Sequence, residues 1–120
     1  MSENQDIEKQ KRIKKEISRL NGLLKKLDSK KKKAVDSLIK NAAFMTVTLE
    51  DLQDDINENG VTETYQNGAN QFGTKKSSAV EVYNTMIKNH MQAMKQLTDL
   101  LPKETPLEHD DGFDDFVMNK

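Results

Sequence analysis

Apolar residues recur at alternating steps of three and four along most of this chain, with charged or polar residues between them. Ile13, Ile17, Leu20, Leu24 and Leu27 form the first such stripe, which predicts an amphipathic helix over residues 4–27. Asn21-Gly22 is a turn-favouring pair inside it, which leaves one continuous helix or two short ones; the stripe runs on across the pair and favours the first. "LDSKKKK" (27–33) reads as a stop and restart, with Asp28 or Ser29 able to cap the next helix. Val35, Leu38, Ala42, Met45, Leu49, Leu52 and Ile56 then repeat at helical spacing, and the β-branched Thr46-Val47-Thr48 is a candidate kink. Asn59-Gly60 ends this second long helix, Gly60 being suited to a left-handed cap.

A third long helix is predicted from Ser78, where Ser78 and Glu81 fit a capping box, to Pro102, which cannot continue a helix. Val80, Tyr83, Ile87, His90, Met94, Leu97 and Leu101 form one stripe, and Ala79, Met86, Ala93 and Leu100 recur beside it every seven residues. Such a face is wider than one seam requires. It predicts packing on the chain's own second helix and on another copy, with Ala79, Val80, Tyr83, Met86, Ile87, His90, Ala93, Met94 and Leu97 at the interface between copies.

Between Gly60 and Ser78 the pattern changes to polar, turn-rich sequence. Val61, Thr62, Thr64 and Tyr65 favour strand, and Asn67-Gly68 favours a tight turn, so a small β-hairpin is predicted at the tip of an antiparallel helical hairpin. Tyr65, Phe72, Lys75 and Lys76 are the side chains there with the reach to touch a partner. The fold class expected from these patterns is all-α: a basic N-terminal helix, a long-helix hairpin and a hairpin-like loop at its tip. The expected division is a basic segment (1–29), a helical-hairpin core (30–102, loop 60–77) and an acidic tail (103–120). In the tail, Phe113, Phe116 and Val117 punctuate six acids, a pattern suited to docking a short peptide in a partner's groove.

Composition sharpens this picture. Only 34% of the 120 residues are apolar, 5% are aromatic and 32% are charged, so the core is thin and association between copies would stabilise it. There is no cysteine, which removes disulfides and thiolate metal sites. No apolar run approaches a membrane span and the first fifteen residues are too polar for a signal peptide, which predicts a soluble intracellular protein. The net charge of −1 conceals segregation: residues 1–40 hold thirteen Lys/Arg against six Asp/Glu, and residues 41–120 hold six against fourteen. Lys9, Lys11, Arg12, Lys14, Lys15, Arg19, Lys25, Lys26, Lys30, Lys31, Lys32 and Lys33 are therefore candidate DNA ligands. Lysines position phosphates without reading sequence; only Arg12 and Arg19 have the fork for bidentate guanine contacts.

"NGVTETYQNGANQFGTKKSSAVEVYNTMIK", continuing into "KQLTDLLPKE", resembles the P27-like family of phage terminase small subunits over about residues 35–105, and "DGFDDFV" looks like the ends of such chains. The resemblance implies an oligomeric ring of helical subunits in the bacterial host's cytoplasm. Such a ring binds double-stranded viral DNA for packaging and presents it to a large subunit carrying ATPase and nuclease. Ser78 stands where much of the family has proline, and the lysine-rich N-terminus offers no convincing helix-turn-helix.

Enzymatic signatures are missing. "GTKKSS" (73–78) lacks the first glycine and the preceding buried strand of a phosphate-binding loop, and no serine or threonine has a histidine in an activating motif. His90 lies on an apolar stripe without a second ligand one turn away. His109-Asp110-Asp111 and the acids Asp51, Asp54, Asp55 and Glu58 resemble solvated carboxylates more than a metal cage. No cofactor or metal is expected. The alternative to a DNA-binding protein is a coiled-coil scaffold or adaptor that binds only proteins.

Overall fold

The computed structural model describes residues 3–101. Its elements run α1 (Glu3–Leu23), α2 (Ser29–Ala34), α3 (Asp36–Asn59), β1 (Thr62–Gln66), β2 (Phe72–Lys76) and α4 (Ser78–Asp99). Helix accounts for 74% of it, but the insert is a true two-stranded antiparallel sheet. The class is therefore a mixed one, helices plus a small β-hairpin, and the expectation of an all-α fold is corrected. The insert pairs its backbone over five residues on each side, from Thr62↔Lys76 to Gln66↔Phe72. Three threonines with strand propensity lie in that ladder, in which alternate residues exchange backbone hydrogen bonds across the strands.

The helix α3 is the spine, packed on α1 along one side and on α4 along another. Two adjacent residues, Ala42 and Ala43, are each 0% exposed. Neighbours on a helix point about 100° apart, and they serve different partners. Ala42 shares its stripe with Thr46 and Gln53, whose side chains bond His90 and Tyr83 of α4. Ala43 shares its stripe with Val47 and Glu50, and Glu50 bonds Arg12 of α1. The pairs Thr46–His90 and Gln53–Tyr83 advance in opposite directions, which makes α3 and α4 antiparallel.

Ile13, Leu20, Leu24, Ile39, Val47, Ala93 and Leu97 complete the core around the two alanines. Burying a side chain such as Leu20 stabilises the fold by about 1.5–3 kcal/mol. The core is lopsided. In α3 no residue after Leu49 is fully buried, and in α4 none before Ala93. The tip that carries the hairpin is thus only two helices thick.

Several boundaries differ from the sequence expectations for local reasons. The first helix passes through Gly22, where a Cβ would meet nothing within 4 Å, but it stops at Leu23 rather than Leu27. Leu24, just past that end, still donates its N–H to the Leu20 carbonyl at 3.1 Å and stays in the core. Asp28 supplies the next cap, its Oδ1 accepting from the Lys31 N–H at 2.8 Å. The second helix is split at Val35 into α2 and α3. No break occurs at Thr46-Val47-Thr48; the Thr46 hydroxyl folds back and donates to the Ala42 carbonyl at 3.0 Å, which satisfies it inside the helix.

At the far end Gly60 has φ 88° and ψ 179°, a conformation open essentially to glycine alone, and it throws the chain straight into β1. The hairpin loop is Asn67–Gln71, closed by Asn67 N–H to Gln71 O at 2.7 Å, not the tight two-residue turn anticipated at Asn67-Gly68. The cap of α4 is Ser77, one residue earlier than expected, its Oγ accepting from the Val80 N–H at 3.1 Å. Ser78 is the first helical residue, and its N–H and hydroxyl both donate to the Glu63 carboxylate, at 2.6 and 3.1 Å. Glu63 thereby takes the place assigned to Glu81 and ties the sheet to the start of α4. Replacing Ser77 with Ala should lower stability in a urea titration by about 1 kcal/mol; an unchanged midpoint would place the cap elsewhere.

Candidate nucleic-acid interface

Lysines crowd the corner where α1 turns into α2. Lys25, Lys26, Lys30, Lys31, Lys32 and Lys33 fall within nine residues, and Asp28 is the sole acid among them. Its carboxylate is occupied by the cap of α2. None of the six ammonium groups forms an ion pair among the described residues, and all but the half-buried Lys32 are exposed. Lys31, Lys32 and Lys33 occupy the last turn of α2. The corner is a compact, unneutralised cationic surface.

The arginines behave differently. Arg12 reaches across to α3, Nη1 donating to Asp51 Oδ1 at 2.7 Å and Nη2 to Glu50 Oε1 at 2.8 Å. These bonds, that to Asp51 foremost, raise the guanidinium pKa above its ordinary value. Arg19 grips Glu16 with two donors, Nε at 2.8 Å and Nη2 at 2.7 Å, and its pKa is raised by the same carboxylate. Both forks are filled by carboxylates of their own chain. Arg12 bridges exposed groups, so the pair is worth at most about 1 kcal/mol; its effect is to fix how α1 lies on α3.

The remaining N-terminal lysines divide. Lys9 is half-buried, its Nζ 4.9 Å from the Phe44 ring centroid, a cation–π contact. Lys11 pairs loosely with Glu8 at 3.9 Å. Lys14 and Lys15 are exposed without an ion pair among the described residues, and Lys15 lines a groove of about 600 Å³ with Arg12, Glu16, Arg19 and Glu50. Four of that groove's five charged groups neutralise one another, which makes it a poor anion pocket.

The α4 residues expected between copies are partly used within the chain. Ala93 and Leu97 belong to the core, with Met94 packed against it. The Gln53 amide donates to the Tyr83 hydroxyl at 3.1 Å. Ala79, Val80, Met86 and Ile87 are half-buried, while Val82 and Met91 stand outward, Met91 being 65% exposed. On the hairpin, Tyr65 lies over Gly73, where a Cβ would come within 2.8–2.9 Å of the phenol. Phe72, Lys75 and Lys76 are exposed. Phe113, Phe116 and Val117 lie outside the described residues. Among the described residues no cluster of three metal-ligating side chains occurs, and no helix is long and apolar enough to cross a membrane.

No protein family, curated protein or solved structure matches this chain.

Some of the site's partners escaped the sequence reading. Glu16 and Arg19, three apart on one helix, were a readable pair. The Arg12–Glu50–Asp51 bridge was not, because 38 and 39 residues separate its members. Nor was the junction at His90, whose Nε2 is 2.8 Å from Thr46 Oγ1. The Thr46 proton is committed to Ala42 O, so the imidazole must be the donor in that pair. Burial lowers the His90 pKa below 6.5, opposed by the negative charge of Glu16. A base with a depressed folded-state pKa favours folding above its unfolded value of 6.5 and loses that advantage as pH falls from there through the lower folded value. Urea stability should therefore fall from pH 7.5 to 5.5, and His90→Gln should flatten that dependence. An identical pH profile in the variant would contradict the assignment.

Proposed function

We propose that this chain is a non-enzymatic DNA-binding protein of the terminase small-subunit kind, holding double-stranded viral DNA and presenting it to the packaging motor's large subunit. The observation that carries the reading is the α1–α2 corner, six lysines beside one acid already spent on a helix cap. A protein that needed those lysines only for solubility would gain as much by spreading them. Packed into nine residues, they repel one another until a polyanion neutralises them.

Contact of this kind follows phosphates and is blind to sequence. One copy binds weakly, and association of copies multiplies the contact by avidity. The two-helix tip supports association, since Val80, Met86 and Ile87 are half-covered and Val82 is exposed there. The resemblance of residues 35–105 to terminase small subunits supplies the packaging context. The acidic tail is proposed as the dock for the large subunit.

Measuring affinity for a random-sequence duplex across salt concentrations tests the proposal. The logarithm of the binding constant should fall linearly with the logarithm of salt, by roughly 0.9 for each phosphate neutralised, so changing Lys30–Lys33 to Glu should remove about 3–4 from the slope. A flat salt response, or full affinity in the charge-reversed variant, would favour the scaffold reading, in which only proteins bind.

A further inference from the structure

The hairpin has two faces of unlike character. Strand alternation puts Glu63, Tyr65, Gly73 and Lys75 on one of them. That face is the partly covered one. Glu63 is hydrogen-bonded to the first residue of α4, Tyr65 covers Gly73, and Glu63 and Gly73 are the two strand residues that are not fully exposed. The other face carries Thr62, Thr64, Gln66, Phe72, Thr74 and Lys76, all exposed, Phe72 to 71%.

This outward face is built of groups that recognise, not groups that pack. Its three threonine hydroxyls have no hydrogen-bond partner among the described residues. Gln66 spends only one amide hydrogen, in a long 3.4 Å contact with the Ala69 carbonyl. Phe72 is its single apolar side chain, too little surface for a protein seam. Its charge is positive. Lys76 is on it, and the one acid between Val61 and Ser77 is Glu63, on the other face.

The dimensions fit one occupant. A two-stranded ribbon with strands about 4.8 Å apart and five residues, roughly 17 Å, long matches the major groove of B-form DNA, about 12 Å wide, which admits such ribbons. The ribbon is also held firmly. Ser77 N–H donates to Val61 O at 2.9 Å, and the Glu63–Ser78 bonds clamp its base to α4, so little ordering remains to oppose binding.

We propose that the Thr62–Lys76 face of the ribbon enters the major groove of double-stranded DNA and reads base edges there. The proposal rests on the DNA-binding reading above and adds the sequence readout that lysines cannot provide. Gln66 has the amide pair that adenine matches, Lys76 the donor for guanine O6 and N7, and Phe72 an apolar edge for a thymine methyl. Thr64 and Thr74, cross-strand neighbours at the centre, serve bases or phosphates. The 24 residues of α3 separate ribbon and lysine corner by a helix about 36 Å long, close to one turn of B-form duplex. A single duplex is long enough to touch both.

Selection from a random duplex library with the full-length chain tests the idea, followed by affinities for the enriched and a scrambled duplex. The wild type should enrich a short motif and prefer it by at least ~10-fold, the yield of one or two good base contacts. A variant carrying Gln66→Ala, Phe72→Ala and Thr74→Ala should bind both duplexes near the wild-type scrambled affinity and discriminate less than ~2-fold. The Lys30–Lys33 charge reversal should weaken both and keep their ratio. A photo-cross-linker at Thr74 should label bases of the enriched duplex, which covers the case of a variant that misfolds. No enriched motif, preserved discrimination in the ribbon variant, or cross-linking to a second copy or another protein would each overturn the ribbon's role. In those cases salt-dependent duplex binding leaves the lysine corner standing; failure to bind any duplex removes both.

Discussion

Helix α3 must accept a neighbour on two sides, and it does so because Ala42 and Ala43 have almost no side chain. Helix axes usually sit 8–10 Å apart, the distance set by the residues at the crossing. Two fully covered alanines at adjacent positions leave room for α1 and α4 to lie against α3 on two of its sides. A bulkier residue at either would push one partner off and uncover Leu20 or Leu97. The chain's poverty in apolar bulk is thus compatible with a core, because close approach substitutes for large side chains. The consequence is asymmetry: burial is concentrated near the crossing and towards the α1–α2 corner, where Leu24 joins the core, and the hairpin tip projects from it.

The charges sort by chemistry as well as by position. Arginine forks face Glu16, Glu50 and Asp51 of the same chain, Arg19 within α1 and Arg12 across to α3. Six lysines without such partners gather at the corner, where a compact, strongly hydrated charge is the kind proposed to meet phosphates. The basic N-terminal third is therefore two populations with separate tasks, one structural and one open to a partner. His90, Thr46 and the carboxylate of Glu16 mark where α1, α3 and α4 meet, and burial there favours the uncharged imidazole.

Much of the scaffold could be read from the sequence, since a three-four apolar rhythm is a local property. It located the long helices, and Asn-Gly pairs marked the ends of the insert's elements. What it could not resolve were choices between near-equal local options. Ser77 and Ser78 both offer a capping hydroxyl, and the winner was fixed by Glu63, fifteen residues before Ser78. The break at Val35 leaves no mark in the heptads, because Leu38 and Ala42 keep their phase. The small β-hairpin was foreseen from Val61–Tyr65 and Asn67-Gly68, but the class was misjudged by counting it as an ornament of an all-α fold. Its ladder of paired backbone is structure in its own right, and Tyr65 packing over Gly73 needed the cross-strand register to be visible. At the candidate interface, lysine density was legible but the diversion of both arginines into ion pairs was not.

Seen together, the fold holds two unlike surfaces apart on one rigid helix: a corner of bare positive charge and a ribbon of uncommitted polar groups. The claim on which this account turns is that the corner lysines, and not the lysines of the helical body, meet DNA. Reductive methylation of the protein with and without a duplex, read lysine by lysine by mass spectrometry, measures this directly. Lys25, Lys26 and Lys30–Lys33 should be shielded by DNA, while Lys40 and Lys95, each paired with an aspartate of its own helix, should react at the same rate in both samples. Shielding spread evenly over all lysines, or absent from the corner, would contradict the account.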